Sequence, residues 1–315
     1  MSSRNKIIIG TRGSELALWQ SDWVTQELRR LHPSFIIEKT VIKTTGDKIL
    51  DSPLSKIGDK GLFTKEIENA LIEKKIDLAV HSLKDVPTHL APGLTIGAIT
   101  EREDVRDVFI SHPKKKHPSL KAVPKNGAIA TGSLRRRCQL LNYRPDLQIV
   151  DIRGNLKTRR RKLEGSEWDG MLLAKAGVTR LGWSEIISEI LSPTLILPAV
   201  GQGALAIEIR SDDSFLASAI EPMNHPPTVH ATAGERALLR FLEGGCQIPI
   251  GTYGRIESGQ FFLDAVVGTI DGKKIVRGSV KGSPEDSEKL GVSLAKELIS
   301  KGADLILRDI RTSGS

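Results

Sequence analysis

Short apolar runs and helically spaced apolar residues alternate along the first third of the chain. The run Ile7-Ile8-Ile9 predicts a buried strand, and residues 15–31 carry apolar side chains on one helical face. Further elements are predicted in the same way, as strands at 35–42 and 76–81 and a helix at 63–73. This alternation favours an α/β domain with a largely parallel sheet.

A stretch rich in proline, lysine and histidine at residues 111–126 interrupts the pattern and predicts a solvated loop. A second alternating set follows, with strands at 128–130, 147–152 and 170–173 and helices that begin at Ser133 and Asn155. A third region starts near residue 228, with a helix at 231–242, strands at 261–267 and 274–277, and a helix at 285–299. A chain of 315 residues is long enough for two or three such domains.

Composition narrows the class of protein. Hydrophobic residues make up 39% and charged residues 27% of the chain, which is ordinary for a soluble globular protein. No apolar run approaches the roughly 20 residues that span a bilayer. The polar N-terminus lacks the apolar core of a signal peptide. We therefore expect a cytoplasmic protein without a membrane partner.

The formal net charge of +8 predicts a negatively charged partner. Nucleic acid, an anionic membrane surface and a small polyanionic substrate all fit that charge. Aromatic residues make up only 4% of the chain, which disfavours a base-stacking surface. The arginines follow separate predicted strands and do not form one basic tail, so we expect no nucleic-acid partner and favour a small polyanion.

The metal-binding residue types are sparse and scattered. Cys138 and Cys246 lie more than a hundred residues apart in a chain without a secretory signal, which disfavours a disulfide. None of the seven histidines falls in an HxxxH or HExxH arrangement. We therefore predict no metal site.

Two predicted strand-to-helix turns resemble each other, Ile9-Gly-Thr-Arg-Gly-Ser14 and Ile129-Ala-Thr-Gly-Ser133. Each ends on a serine that can cap the following helix, whose free N–H groups then face an anion. Arg12 lies inside the first turn, and Arg135 and Arg136 directly follow the second. The pair of turns favours an anion site.

The remaining arginines divide into two groups. Arg153 follows a predicted strand directly, Arg159 lies a turn into the next helix, and Arg180 follows another strand and helix. Ligands of open α/β sheets bind beyond the carboxyl ends of the strands, where guanidinium groups can each grip a carboxylate with two hydrogen bonds. The neighbouring basic residues are predicted to form a solvated face, namely Arg137, Arg160, Arg161 and Lys162.

The segment Asp77-Leu-Ala-Val-His-Ser-Leu-Lys-Asp-Val-Pro87 places Lys84 and Asp85 at the carboxyl end of a strand. An aspartate in such a loop is commonly a turn residue. Among many arginines and lysines, however, Asp85 stays ionised and can stabilise a transient organic cation. His81 is predicted to be a packed, structural histidine.

Cys246 differs from Cys138 in its surroundings. Cys138 is predicted to be a buried structural cysteine on a helix. Cys246 follows Gly244-Gly245, which leave the sulfur little steric cover and suit a thiolate that an electrophile must reach. The glycine-bearing loop at residues 56–63 is typical of a lid, and Phe63 at its end suits either the core or the cover of a bound ring.

Seven segments in this order resemble the porphobilinogen deaminase (hydroxymethylbilane synthase) family. They are Ile9-Gly-Thr-Arg-Gly-Ser-Glu-Leu-Ala-Leu-Trp-Gln20, Lys60-Gly-Leu-Phe63, His81-Ser-Leu-Lys-Asp-Val-Pro87, Ser133-Leu-Arg-Arg136, Arg153-Gly-Asn155, Pro198-Ala-Val-Gly-Gln-Gly203 and Gly244-Gly-Cys-Gln247. The resemblance implies a transferase of tetrapyrrole (haem) biosynthesis. It joins four porphobilinogen molecules head to tail with loss of ammonia and yields hydroxymethylbilane. It also implies a dipyrromethane cofactor, one per chain, and a monomer.

The resemblance assigns roles residue by residue. Cys246 carries the cofactor through a thioether, and Asp85 is the essential carboxylate that assists the departure of ammonia and stabilises azafulvene-like cations. Cofactor contacts are implied for Ser82, Lys84, Asp85, Thr131, Ser133, Arg135 and Arg136. Substrate contacts are implied for Arg12, Ser14, Gln20, Arg153, Arg159, Arg180 and Gln202, and for Lys56, Lys60 and Phe63 of the loop.

The family fold implies three domains, two similar to the lobes of type II periplasmic binding proteins and one small C-terminal α/β domain. Their expected bounds are 1–103 with 199–223, 104–198, and 224–315. This chain has Gly132 where the family pattern has serine, which removes one hydroxyl from the second turn. A solute-binding protein also fits two lobes but explains neither Cys246 nor a third domain. An effector-binding domain would need a preceding helix-turn-helix segment, and none is seen.

Overall fold

The structure is a computed structural model that describes residues 5–48, 63–242 and 248–313. These residues group into two units by their contacts. The first holds residues 5–48, 63–102 and 204–229, and the second holds residues 103–203, 230–242 and 248–313. The chain therefore leaves the first unit near residue 103 and comes back to it at residue 204.

A five-stranded mixed sheet forms the centre of the first unit. Its strands are β1 (Lys6–Thr11), β2 (Ile36–Val41), β3 (Leu78–Ser82), β4 (Leu94–Ile99) and β10 (Leu205–Arg210). They lie in the spatial order β2-β1-β3-β10-β4. β1 pairs in parallel with β2 and β3, whereas β10 is antiparallel to both β3 and β4. The strand that returns from the second unit thus enters the middle of the sheet.

The helices of the first unit cover this sheet. They are α1 (Glu15–Leu31), α2 (Thr45–Lys48), α3 (Lys65–Ile72) and α7 (Ser214–Ile220). The main core contains Ile7 and Ile9 of β1, Val24 and Leu28 of α1, and Ile207 of β10, all fully buried. Burial of such aliphatic side chains contributes roughly 1.5–3 kcal/mol each. The apolar stripe predicted over residues 15–31 is therefore the stripe that α1 packs on the sheet.

The second unit contains a five-stranded sheet with an equivalent order and direction of strands. Its strands are β5 (Asp107–Ser111), β6 (Ala128–Ala130), β7 (Gln148–Val150), β8 (Gly170–Ala174) and β9 (Glu189–Ile190). The order is β7-β6-β8-β5-β9, with β6 parallel to β7 and β8 and with β5 antiparallel to β8. Its helices are α4 (Leu134–Tyr143), α5 (Leu156–Glu164) and α6 (Lys175–Arg180). β6 therefore occupies the place that β1 occupies in the first sheet.

A separate antiparallel sheet follows in the second unit, with its own core. It consists of β11 (Ile250–Glu257), β12 (Gln260–Gly268) and β13 (Ile275–Gly282), packed with α8 (Pro226–Phe241), α9 (Ser287–Ser300) and α10 (Ala303–Ser313). Phe261 and Leu263 of β12 and Leu294 and Leu298 of α9 are central to this core. The predicted α/β class with a small C-terminal α/β domain is confirmed, while the exact domain bounds stay a prediction.

The largely parallel sheet predicted for the first half is a mixed sheet. Four of the five strands in each sheet run in one direction, and three of these four pair directly in parallel, as expected of strand–helix–strand units. β10 and β5 instead run antiparallel to their neighbours, because neither arrives through a crossover helix from an adjacent strand. The stretch 111–126, predicted to be a loop, begins on the last residue of β5 and contains a short 3-10 helix at Leu120–Ala122.

Candidate functional site

Serine hydroxyls cap both helices that follow the two similar turns, as predicted. Ser14 Oγ accepts a hydrogen bond from the Ala17 amide at 3.3 Å, and Ser133 Oγ accepts one from the Arg136 amide at 3.4 Å. The Asn155 side chain likewise caps α5 by accepting from the Thr158 amide at 2.9 Å. Each cap satisfies one helix donor and leaves the other amides of the first turn to a ligand or water.

Arg12 is held in place by two contacts. Its Nε donates to Asp47 Oδ2 at 3.2 Å, and its guanidinium carbon lies 4.3 Å from the centre of the Phe63 ring. Burial by itself would raise the pKa of Asp47, but the hydrogen bonds and charge of Arg12 outweigh it and lower that pKa. Phe63 thus covers the guanidinium of Arg12, and Arg12 presents a partly neutralised charge.

Asp85 lies on a short 3-10 turn, Leu83–Asp85, that follows β3 directly. Leu83 and Val86 on either side are buried at 1% and 5% exposure, so the turn is anchored in the core. Lys84 is half-buried, whereas Asp85 is exposed. The Asp85 carboxylate makes no hydrogen bond or ion pair with any residue that the structure describes. The fold therefore displays this carboxylate on a fixed support and leaves its oxygens to a ligand.

Polar contacts brace the strand that leads to Asp85. Gln20 Nε2 of α1 donates to Ser82 Oγ at 2.7 Å, and Gln20 is itself buried. His81 is buried and its Nε2 lies 3.0 Å from Glu208 Oε2 on β10. The prediction that His81 is structural is confirmed. Gln20 and Ser82 were both predicted to contact ligand, and in the structure their side chains form a hydrogen bond with each other.

Arg135 and Arg136 are buried at 5% exposure each and share one carboxylate, that of Asp107. The Arg135 Nη1 to Asp107 Oδ2 distance is 2.6 Å and the Arg136 Nη2 to Asp107 Oδ1 distance is 2.8 Å. Gln202 Nε2 also donates to Asp107 Oδ1, at 2.9 Å. Two positive charges and one negative charge leave this cluster with a net charge of +1.

The electrostatics of that cluster follow from its burial. Burial by itself would raise the pKa of Asp107, but the two guanidiniums outweigh it and hold the pKa well below its usual range. Burial lowers the pKa of Arg135, and the neighbouring Arg136 acts in the same direction. The Asp107 carboxylate therefore stays ionised at neutral pH, and the surplus positive charge of the two guanidiniums favours an anion.

Arg153 has a shielded donor without a hydrogen-bond partner among the described residues. It is half-buried, and its Nη1 is shielded from solvent without a hydrogen-bond partner among the described residues. Burial lowers its pKa, although an arginine stays protonated at neutral pH. A shielded guanidinium donor without an acceptor is costly unless a ligand or water supplies one. Arg153 therefore fits a site for a carboxylate.

Backbone carbonyls orient two further arginines. Arg159 Nε donates to the Gly154 carbonyl at 2.8 Å, and Arg180 Nη2 donates to the Gly203 carbonyl at 2.7 Å. Burial lowers the pKa of Arg180 to about 10, which still leaves it charged at neutral pH.

Thr131 is buried, and its Oγ1 accepts a hydrogen bond from the Ser133 amide at 3.3 Å. The Thr131 hydroxyl thus shapes the turn before α4.

Three of the predicted site residues lie outside the described residues, namely Lys56, Lys60 and Cys246.

Cys138 is fully buried, as predicted, and burial raises the pKa of its thiol to about 12. Of the basic residues predicted to be a solvated face, Arg161 and Lys162 are exposed. Arg160 instead lies over the Trp183 ring, 5.2 Å from its centre, and Arg137 has a shielded Nε to which no described residue offers a hydrogen bond.

Sequence reasoning missed the acidic partners, Asp47 and Asp107. Asp47 lies 35 residues from Arg12, and Asp107 lies 28 residues from Arg135, so no local spacing links them. The available signal was Asp107 itself, a charged residue at the start of the apolar run Val-Phe-Ile110. A buried charge of that kind needs a paired charge elsewhere in the chain.

Among the described residues, the predicted site includes shielded guanidinium donors without a hydrogen-bond partner on Arg136 and Arg153, and the Asp85 carboxylate, which also lacks one. No group of three His, Cys, Asp or Glu side chains among the described residues is placed to hold a metal ion. No helix in the described part of the chain is long and apolar enough to cross a bilayer. The fold and these residues define an α/β protein whose strand ends carry cationic donors suited to carboxylate-bearing small molecules.

Comparison with known proteins makes the class specific. The family described as "Porphobilinogen deaminase, dipyromethane cofactor binding domain" matches residues 7–218, and the one described as "Porphobilinogen deaminase, C-terminal domain" matches residues 229–300. Porphobilinogen deaminase of Carboxydothermus hydrogenoformans is 52% identical over 308 residues, 98% of each chain. That of Chlorobaculum tepidum is 54% identical over 311 residues, 98% of this chain and 99% of the other. This chain belongs to the porphobilinogen deaminase family.

Among solved structures, the periplasmic VFT2 domain of Bordetella pertussis BvgS is similar with a TM-score of 0.43. It is 11% identical in sequence, and the alignment covers 70% of this chain and 87% of that domain.

Proposed function

We propose that this chain condenses four porphobilinogen molecules head to tail, with loss of ammonia, to give hydroxymethylbilane. The observation that carries the proposal is that the family's cofactor-binding domain spans residues 7–218. Within that span lie Asp85, free of ion pairs with described residues, and Arg153, whose shielded Nη1 has no hydrogen-bond partner there. Relatives at 52–54% identity over nearly the whole chain carry the same name.

The residues present fit a carboxylate-bearing dipyrromethane. Within the described part of the chain, Arg136 Nε and Arg153 Nη1 are shielded donors without hydrogen-bond partners, and the Asp107 cluster has a net positive charge. We assign the covalent thioether to Cys246. The other cofactor contacts are assigned to Ser82, Lys84, Asp85, Thr131, Ser133, Arg135 and Arg136. Because Arg135 and Arg136 are already paired with Asp107, we assign them a long-range attraction and one spare donor, and not full bidentate capture.

Substrate carboxylates are assigned to the remaining cations and polar groups. These are Arg12, Ser14, Gln20, Arg153, Arg159, Arg180 and Gln202, together with Lys56, Lys60 and Phe63. Arg153 is the strongest of these assignments, because a ligand would give its Nη1 a hydrogen bond that no described residue supplies. Gln20 and Gln202 are the most committed to protein contacts, so we assign them to the support of the site.

Asp85 carries the chemistry in this proposal. When bound, the dipyrromethane would supply the pyrrole carbon that takes the place of the amino group of porphobilinogen, so that a C–C bond would replace the C–N bond, ammonia would leave and the pyrrole carbon would lose its proton. The Asp85 carboxylate stabilises the positive charge that develops on the substrate as the amine departs. The arginines hold the substrate carboxylates and thereby orient its aminomethyl group.

We further propose that the protein works as a cytoplasmic monomer on small molecules, with three domains and without nucleic-acid or membrane partners. The arginine-rich segment at residues 135–137 supports this proposal. Its first two guanidiniums are buried on Asp107 and cannot serve as phosphate contacts on a duplex.

Two measurements test the proposal. The intact mass of freshly purified active protein should exceed that of the bare polypeptide by one dipyrromethane, and an unmodified mass would refute the tether. The substitution Asp85→Asn should retain the cofactor and the melting temperature, because Asp85 is exposed, but lose at least roughly 100-fold in turnover.

Asp212→Asn is the matched control, because Asp212 is an exposed aspartate just after a strand of the same sheet. It should leave turnover unchanged. Near wild-type turnover by Asp85→Asn with cofactor attached would show that the carboxylate is not the catalytic group.

A further inference from the structure

The turn between β12 and β13, residues 269–274, reaches the helix α4 within the second unit. Its residue Gly272 is buried, although its neighbours Asp271 and Lys273 are both exposed. Asn142 Nδ2 of α4 donates to the Gly272 carbonyl at 2.9 Å. A residue at the tip of a hairpin is normally solvated, so the burial of Gly272 marks a specific contact.

Only glycine fits at position 272. Its φ is +72°, a conformation that L side chains rarely adopt. A Cβ there would lie 2.5 Å from the Asn142 nitrogen, 2.6 Å from the Cys138 carbonyl oxygen and 2.8 Å from the Leu141 carbonyl carbon. All three are backbone atoms of α4, which cannot move aside as a flexible side chain can. The backbone of the turn therefore lies directly against the backbone of the helix.

The turn is pre-shaped for this contact. Asp271 Oδ1 accepts a hydrogen bond from Thr269 Oγ1 at 2.6 Å and another from the Lys273 amide at 3.1 Å. Both hydrogen bonds lower the pKa of Asp271, and the one from Thr269 has the larger effect. The Gly272 amide donates to the Thr269 carbonyl at 2.9 Å. Because the turn holds its own shape, docking on α4 costs it little additional ordering.

The contact joins two parts of the proposed cofactor site. α4 carries Arg135 and Arg136 in its first turn, and its residues Cys138, Leu141 and Asn142 meet the turn 269–274. The turn connects two strands of the C-terminal sheet, β12 and β13. This sheet belongs to the C-terminal family domain at residues 229–300, which also contains Cys246. A fixed contact between that sheet and α4 holds the described strands of the sheet against the helix that carries the two arginines.

We propose that residues 269–274 form a docking turn that fixes the C-terminal α/β region on α4, with Gly272 as the positioning residue that permits the contact. The inference rests on the proposed function, because it takes Cys246 as the cofactor tether. Its consequence is that the docking turn governs how readily the dipyrromethane is attached.

The test compares Gly272→Ala with Gly259→Ala in the full chain. Gly259 lies in the turn between β11 and β12 with φ +76°, but a Cβ there meets nothing within 4 Å. Both substitutions impose the same backbone strain, and only the first one blocks docking. Apoprotein is incubated with porphobilinogen, and the rate of cofactor attachment is followed by intact mass. Hydrogen exchange of residues 134–143 and the circular dichroism spectrum are recorded in parallel.

Gly272→Ala should attach the cofactor at least about tenfold more slowly than wild type, with faster exchange in α4 and an unchanged circular dichroism spectrum. Gly259→Ala should stay within about twofold of the wild-type rate. Equal attachment rates and equal α4 exchange in the two variants would overturn the proposal.

A second variant covers the case in which Gly272→Ala does not fold. Asn142→Ala removes only the 2.9 Å hydrogen bond, and it should slow attachment about fivefold and speed exchange in α4. Wild-type values for Asn142→Ala would then overturn the proposal. Failure of the wild-type apoprotein to gain any mass would refute the proposed function instead, and the exchange comparison would still decide whether the turn fixes α4.

Discussion

Replacing Asp107 by asparagine removes the one negative charge from a buried cluster. The Asp107 carboxylate is fully buried and lies 2.6 Å from Arg135 Nη1, 2.8 Å from Arg136 Nη2 and 2.9 Å from Gln202 Nε2. All three neighbours are donors. The amide that Asp107→Asn introduces offers one oxygen in place of two and turns an NH2 group towards a guanidinium. Two buried positive charges are then left without a counter-charge.

The cost follows from the geometry. Breaking a buried ion pair by removing one partner destabilises a protein by about 3–5 kcal/mol. For a folding unit of 150–250 residues, each kcal/mol lowers Tm by about 2–4 °C. The second unit is of that size, so we expect Asp107→Asn to lower its Tm by roughly 6–20 °C at pH 7.

The pH dependence has a definite sign. The pKa of Asp107 is depressed in the folded state, so its stabilising contribution is complete above its unfolded pKa of about 4. The contribution is lost as the pH falls through the folded value. The difference in stability between wild type and Asp107→Asn should therefore be constant near neutrality and narrow only below about pH 4.

Differential scanning calorimetry of the full chain measures both effects. Asp146→Asn is the control, because Asp146 also pairs with an arginine, Arg144 at 2.7 Å, but lies near the surface. It should melt close to wild type. A Tm for Asp107→Asn within about 2 °C of wild type would show that the cluster tolerates the loss of its carboxylate and would refute the reasoning.

Three further predictions concern single residues of the site and the core. Arg153→Met should raise KM for porphobilinogen roughly 10- to 150-fold, because the ligand loses a charged hydrogen bond. It should not lower Tm, because Arg153 Nη1 has no hydrogen-bond partner among the described residues. An unchanged KM in steady-state kinetics would contradict this prediction. Iodoacetamide at pH 8 should leave native protein unlabelled, since burial raises the pKa of Cys138 to about 12. After unfolding it should label Cys138 alone, whereas a second label by mass would show a free Cys246. Gly132→Ser should lower the free energy of unfolding by about 1–3 kcal/mol, because the Cβ of the new serine would lie 2.7 Å from the Ile152 carbonyl oxygen. An unchanged denaturation midpoint would argue against that clash.

Local patterns predicted many elements closely. The helix predicted at residues 15–31 is α1 with the same bounds, and the strand predicted at 128–130 is β6. Periodicity and capping serines depend on near neighbours in the chain, so they can be read without the fold. Strands with few local signals, such as β4 and β10, were not predicted by periodicity, because their partners lie far away in sequence.

The candidate site divides in the same way. Asp85 was predicted on a turn after a strand, and it lies there with a carboxylate that pairs with no residue in the described ranges. Arg135 and Arg136 were predicted to serve the ligand, and nothing near them in sequence indicated that Asp107 would neutralise one of their charges. Charges pair through space, so only the fold shows which arginines are already occupied.

By itself, the sequence determined the α/β class, the capped turns, the position of Asp85 and the family to which the chain belongs. These features depend on short segments whose spacing is intrinsic to the chain. Only the tertiary structure decided that β10 enters the first sheet between β3 and β4, that Phe63 covers Arg12, and that Gly272 meets α4. Each of these contacts joins residues distant in sequence, and each depends on steric fit or charge pairing that exists only once the chain has folded.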